Sequence, residues 1–135
     1  MEIIYDLNED HIKQLYELYQ QEWWAKGRTF ETTRECVSGS QICIALVDSN
    51  DLIGFTRVIT DYTFKALIFD VIVRVDQRGR GLGNRLVSLV KSHKMLNRVI
   101  HFELYCLPDM GDFYRQHGFD IPLEIHLMRC TNTIG

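Results

Sequence analysis

The stretch from Phe64 to Asn84 constrains the fold more than any other part of the chain. Phe64 to Val75 is an apolar, β-branched run. Its unbroken apolarity predicts a central strand buried on both faces. The run leads directly into Arg78-Gly79-Arg80-Gly81-Leu82-Gly83-Asn84, after which Leu86, Val87, Leu89 and Val90 recur at helical spacing. A helix start leaves about four backbone N–H groups without internal partners, and the helix dipole adds positive charge there. Glycines let the backbone close on phosphate oxygens, because no Cβ blocks the approach. Arg78 and Arg80 add forked donors. The sequence therefore predicts an anion cradle over residues 78–84. A P-loop would end in Gly-Lys-Ser/Thr, and a dinucleotide fold would place Gly-x-Gly-x-x-Gly in an early βαβ unit. Neither pattern is met.

Elements on either side complete the expected order. Ile3 to Leu7 reads as a short strand. Asn8 sits as an N-cap before a helix with Ile12, Leu15, Tyr16, Leu18 and Tyr19 on one face. A second helix is expected from Glu31 to Val37, ended by Gly39. Ile42–Val47 and Leu52–Ile59, joined by Ser49-Asn50-Asp51, form a hairpin. Beyond the glycines, Arg98–Leu104 reads as a strand, Asp109–His117 as a helix stopped by Gly118, and Ile121–Met128 as a last strand. The order βααβββαβαβ predicts a single mixed α/β (α+β) domain over residues 1–135, with about four helices on a mostly antiparallel sheet.

Composition narrows the partners. The 135 residues are 46% hydrophobic and 24% charged, as in an ordinary folded domain, and the formal charge of −3 gives no overall basic field for nucleic acid or membrane. Arg74, Arg78, Arg80 and Arg85 nevertheless cluster, which suits a small polyanion. The four cysteines, Cys36, Cys43, Cys106 and Cys130, have no zinc spacing, and no metal is expected. They read as small buried side chains in a reducing compartment. With no signal-peptide pattern and no run near ~18 apolar residues, the expected location is cytoplasmic.

The glycine-rich turn resembles that of the GCN5-related N-acetyltransferase (GNAT) family, in which Arg/Gln-x-x-Gly-x-Gly/Ala joins a strand to a helix. Arg78, Gly81 and Gly83 match, and Gly79 and Arg80 give an Arg-Gly-Arg-Gly variant. Phe113-Tyr114-Arg115-Gln116-His117-Gly118-Phe119 is similar to a second family signature, Phe-Tyr-x-x-x-Gly-Phe. Trp23 to Arg28 and Gly54-Phe55-Thr56-Arg57 also look like a bacterial branch of the family. Two departures stand out: Val75 occupies a place often held by proline, and Cys106 and Asp109 stand where other branches have a cofactor-facing asparagine.

The resemblance implies a GNAT fold and an acetyl-CoA-dependent N-acetyltransferase. It implies that backbone amides of Arg78, Gly79, Arg80, Gly81, Leu82, Gly83 and Asn84 hold the pyrophosphate. Val71, Ile72 and Val73 would lie along the pantetheine arm, and Tyr114 would protonate the leaving thiolate. The acceptor would be a small-molecule or peptide amine that attacks directly in a ternary complex. Asp70 is the first candidate for its base, with Glu103 and Glu22 behind it. Alternation separates Asp70 from Val71 across the sheet unless a bulge intervenes. Trp23, Trp24 and Tyr62 are candidate walls of the acceptor pocket. The alternative reading is a non-catalytic acyl-CoA sensor on the same fold. The last apolar strand is available to pair across a homodimer.

Overall fold

A computed structural model of the chain describes residues 1–133. Residues 1–105 form one compact unit and the chain from Cys106 forms a second.

The first unit is built on a sheet in the order β1-β2-β3-β4-β5. The strands are β1 Glu2–Ile4, β2 Ile42–Asp48, β3 Asp51–Thr60, β4 Lys65–Val73 and β5 His101–Leu104. The first three pairings are antiparallel and β4–β5 is parallel, so the mixed, mainly antiparallel sheet expected from the sequence is found. The β2–β3 hairpin turns at Ser49 and Asn50, both at positive φ (49° and 70°), the geometry of a turn that matches strand twist.

Helices α1 (Glu9–Tyr19) and α2 (Phe30–Ser38) precede β2, and α3 (Leu82–Lys91) follows β4. Asn8 caps α1 by accepting from the His11 N–H at 2.9 Å, while its own N–H donates to His11 Nδ1. Thr29 and Thr32 cap α2 in the same reciprocal way. Leu15, Leu18 and Tyr19 of α1 pack with Cys43, Ala45, Phe55 and Ile72 on one face of the sheet. Strand alternation turns Gly54 to the opposite face. A Cβ there would stand 3.2 Å from Leu46 and 3.4 Å from Leu86 of α3. Gly54 thus lets α3 seat closely on β3.

Three expectations change. The strand buried on both faces is β2, with residues 42–47 all buried, whereas β4 is buried only at Ala66, Ile68 and Ile72. The reason is topological: β4 neighbours a four-residue strand near the sheet's end, so part of it lacks cover. The anticipated strand at Ile121–Met128 does not form. In the second unit a turn at Pro108–Met110 leads into α4, Gly111–Arg115, and residues 119–133 are irregular. Pro122 has no N–H to give a ladder, and Leu123 and Met128 are 93% and 90% exposed. The expectation of buried cysteines holds for Cys43 alone: Cys36 is half-buried, and Cys106 and Cys130 are exposed.

Gly54→Val should fold less stably by about 1–3 kcal/mol, because its branches overpack the α3 seat. Urea unfolding followed by circular dichroism checks this.

Candidate active site

The geometry begins with an interruption in the sheet. β4 pairs with β5 only from Lys65↔His101 to Ile68↔Leu104. From Phe69 to Val73, β4 has β3 on one side and, among the described residues, no strand on the other. The Arg74 N–H donates to the Ile53 carbonyl at 2.8 Å, so alternation turns the backbone of Val73 to the open edge. Its carbonyl there accepts from Arg78 Nε at 3.2 Å. Val71 shares that orientation. Ile72 instead pairs with Phe55 of β3 and sends its side chain into the core. Of the three residues expected along a pantetheine arm, two therefore present free-edge backbone.

After β4, Val75–Gln77 makes a tight turn, and the Val75 N–H donates to Gln21 Oε1 at 3.1 Å. Gly79 and Gly81 follow at φ 79° and 78°, a left-handed conformation that side-chain-bearing residues resist. No atom lies within 4 Å of a Cβ built at either glycine, so the strand-to-helix bend is open at both. Unlike α1 and α2, α3 has no side-chain cap. Its first helical bond is Arg85 N–H to Gly81 C=O at 3.0 Å. The Arg78 N–H, expected in the cradle, donates instead to the Val75 carbonyl at 3.4 Å; the amides of Gly79 to Gly83 lie between it and that first helical bond, where a helix start suits an anion. Arg74 is paired with Asp76 and Arg78 with Glu22. Arg80 rests on Gln77, and among the described residues neither Arg80 nor Arg85 has a carboxylate within 4.0 Å.

Asp70 occupies a β-bulge. Phe55 pairs with Ile72 and Arg57 with Phe69, so Thr56 faces two residues, Asp70 and Val71. Thr56 Oγ1 donates to the Phe69 carbonyl at 2.8 Å and fills the irregularity. The bulge, with Asp70 at φ 57°, brings the carboxylate to the face that carries α1. There it accepts from Tyr19 Oη at 2.8 Å, Arg28 Nη1 at 2.7 Å and Arg57 Nε at 2.7 Å, all at Oδ2. Arg28 Nη2 reaches Oδ1 at 3.3 Å. Burial alone would raise the Asp70 pKa, but the guanidinium hydrogen bonds outweigh it and hold the carboxyl below its ordinary value. Burial, reinforced by the Asp70 charge, keeps the Tyr19 phenol protonated.

This clamp changes the reading of Asp70. A carboxylate held ionised by two guanidinium groups is a weaker base than a free one, and its lone pairs are engaged. The other two candidate bases are also ion-paired, Glu103 with Lys65 at 2.6 Å and Glu22 with Arg78. Sequence reasoning missed Arg28 and Arg57 as members of the site. The available signal was a charge placed inside each of two adjacent, largely buried strands, Arg57 in β3 and Asp70 in β4.

The aromatic candidates separate. Trp24 packs edge-on to Tyr19 at 6.3 Å, and the Arg28 guanidinium lies 5.4 Å from the Trp24 ring and 4.5 Å from that of Tyr19. Trp23 is 74% exposed. Tyr62 stands at the β3–β4 turn with φ 63°, and among the described residues it makes no ring contact with either tryptophan. In the second unit, Tyr114 packs edge-on to Phe113 and Phe119. Burial, with a smaller contribution from Cys106, pushes its pKa up to about 12. Among the described residues no cluster of metal-ligating side chains occurs.

An open strand edge leads through left-handed glycines to a helix start without a side-chain cap, an arrangement suited to an anion. Comparison with known proteins agrees. Residues 38–121 match the family described as Acetyltransferase (GNAT) domain, and the chain belongs to that family. It is 33% identical over 112 residues to an uncharacterized N-acetyltransferase, ycf52, of Porphyra purpurea, covering 78% of this chain and 64% of that protein. It is 33% identical over 73 residues to the chloroplastic GCN5-related N-acetyltransferase 2 of Arabidopsis thaliana, covering 54% of this chain and 28% of that protein. The chain thus spans just under two thirds of the first relative and much less of the second. Among solved structures, a putative GNAT-family acetyltransferase from Xanthomonas campestris superposes with a TM-score of 0.80 at 26% identity, over 97% of this chain and 94% of that one. An aminoglycoside 6'-N-acetyltransferase complexed with coenzyme A shares the fold, with a TM-score of 0.66 at 24% identity, over 77% and 61% of the two chains.

Replacing Asp70 with Asn should cost roughly 3 kcal/mol of stability at neutral pH, since two half-buried guanidinium groups lose their counter-charge. The folded pKa of Asp70 lies below its unfolded value of about 3.9, so its contribution is complete above that pH and fades as pH falls further. The stability gap between wild type and Asp70→Asn should accordingly narrow below about pH 4, as read from urea unfolding across pH.

Proposed function

We propose that the protein is an acetyl-CoA-dependent N-acetyltransferase that transfers an acetyl group to a primary amine by direct attack. The observation that carries this reading is the continuity of the open β4 edge with the Arg78–Asn84 turn. Backbone groups of Val71 and Val73 offer hydrogen bonds to an extended amide-bearing arm, as an added strand would use them. Beyond them, the amides of Gly79 through Gly83 are assigned to a diphosphate, and Gly79 and Gly81 leave room for its oxygens.

Acetyl-CoA supplies the activated acyl group. The chain positions it so that the attacking amine and the carbonyl meet without the entropy cost of a free encounter. The Val71 N–H is assigned as oxyanion donor, an effect of roughly 3 kcal/mol in comparable sites. Tyr114 is assigned the proton donor to the departing thiolate. A phenol whose pKa has moved up to about 12 stays protonated at neutral pH and retains a proton to give. Asp70 acts as a positioning residue that orients Arg28 and Arg57, and the ammonium proton leaves to solvent. The acceptor wall is assigned to Trp23 and Trp24, with Tyr62 at the far end of β4. No helix among the described residues is long and apolar enough to cross a membrane. Free cysteines fit a reducing compartment such as the cytoplasm. The homodimer reading rests on the apolar alternation of Ile121, Leu123, Ile125 and Leu127, all exposed.

Gly81→Val forces a β-branched residue into the left-handed region and fills the bend. Its affinity for CoA, measured by calorimetry, should fall at least about tenfold while the circular dichroism spectrum is retained. Unchanged affinity would remove the cradle. Tyr114→Phe should lower kcat roughly a hundredfold with CoA affinity preserved, as read by thiol release; an unaltered kcat would remove the proton-donor assignment. Binding of acetyl-CoA with no thiol release on any amine would favour a sensor.

A further inference from the structure

The Tyr19–Arg28–Arg57–Asp70 cluster lies on the α1 and α2 face of the sheet, at the bulge where the open edge of β4 begins. Its charges do not cancel. Arg28 and Arg57 share the single Asp70 carboxylate, and among the described residues neither has a second carboxylate within 4.0 Å. Tyr19 donates to Asp70 and contributes no charge. The Tyr19, Trp24 and Phe69 rings that the two guanidinium groups face offset part of this half-buried positive excess, and an anion would complete the balance. The excess is also accessible. The Arg28 side chain is 29% exposed against 6% for Asp70. Asp70 takes one hydrogen bond from each terminal nitrogen of Arg28, which orients the fork and leaves Nε–H and the remaining N–H bonds unassigned. Arg57 spends Nε on Asp70 and Nη1 on Ser40 Oγ at 3.4 Å, and its Nη2 has no partner among the described residues. Trp24, 39% exposed, walls Arg28 on one side.

We propose that this cluster is the acceptor's recognition site, and that the acceptor amine carries a carboxylate which docks on Arg28, as in an amino-acid-like amine. The proposal rests on the transferase reading. Guanidinium and carboxylate match as forked partners. Asp70 serves this role by holding Arg28 in place, and the bulge sets the docked carboxylate next to the strand edge assigned to the thioester. The same positive excess repels purely cationic acceptors such as polyamines, which makes it a filter as well as an anchor.

The test pairs amines that differ only in the carboxylate: lysine with cadaverine, ornithine with putrescine, and phenylalanine with phenethylamine. Thiol release from acetyl-CoA is followed with wild-type protein, Arg28→Gln and Arg28→Lys. The carboxylate-bearing member should be preferred by at least about tenfold in kcat/KM, the worth of a charged hydrogen bond. Arg28→Gln should collapse that preference mainly through KM, with CoA affinity unchanged by calorimetry. Arg28→Lys keeps the charge without the fork and should fall between. Equal or better turnover of the decarboxylated partners by wild type overturns the proposal, whatever the variants do. If no amine is turned over, the transferase reading fails separately. Quenching of Trp24 fluorescence by each pair on CoA-loaded protein, with Trp24→Phe as the signal control, still decides the docking site. Selective response to the carboxylate-bearing members upholds it, and no selectivity overturns it.

Discussion

One carboxylate, that of Asp70, is bonded to a helix, a loop and a neighbouring strand at once. Tyr19 comes from the end of α1, Arg28 from the connection to α2, and Arg57 from β3. A buried charge of this kind is tolerated only with close, well-aligned partners, so the three segments must meet at one point. The bulge that makes the meeting possible coincides with the place where β4 ceases to pair with β5. The ion cluster and the open strand edge are thus two aspects of one local departure from regular sheet geometry.

The segment between α1 and α2 connects this cluster to the glycine-rich turn. Near its start, Gln21 accepts from the Val75 N–H and Glu22 pairs with Arg78. At its end, Arg28 reaches Asp70, and the Gln20 side chain ties back to the Arg28 carbonyl at 3.1 Å. A short run of chain, folded into consecutive turns and carrying Trp23 and Trp24, therefore touches both the proposed diphosphate cradle and the proposed acceptor cluster. In the proposed reaction, in which two substrates meet in one complex, the walls of both sites share a support.

Local chemistry explains which parts were legible in the sequence. The Asn8 cap, the α1 face and the Arg78–Gly83 turn were readable because each depends on neighbours a few positions away. Gly79 and Gly81 adopt the left-handed conformations that their residue type permits at low cost. Misreadings arose where an outcome depends on what lies alongside. The alternating apolar run at Ile121–Met128 has strand character, but a strand exists only with a partner ladder, and none forms there. The run at Phe64–Val75 resembled a doubly covered strand, yet its cover depends on how far β5 extends.

Asp70 marks the boundary most clearly. The sequence by itself determined that an acidic residue precedes an apolar, edge-forming stretch, that the glycine turn follows, and that a helix start lies beyond. It thereby determined the glycine turn proposed as an anion cradle, and the family resemblance. Only the tertiary structure decided that Asp70 is clamped by Arg28 and Arg57 rather than poised as a free base. Those arginines lie 42 and 13 positions away in the chain, and the pKa of a carboxylate is set by the charges and burial around it, which chain proximity does not specify.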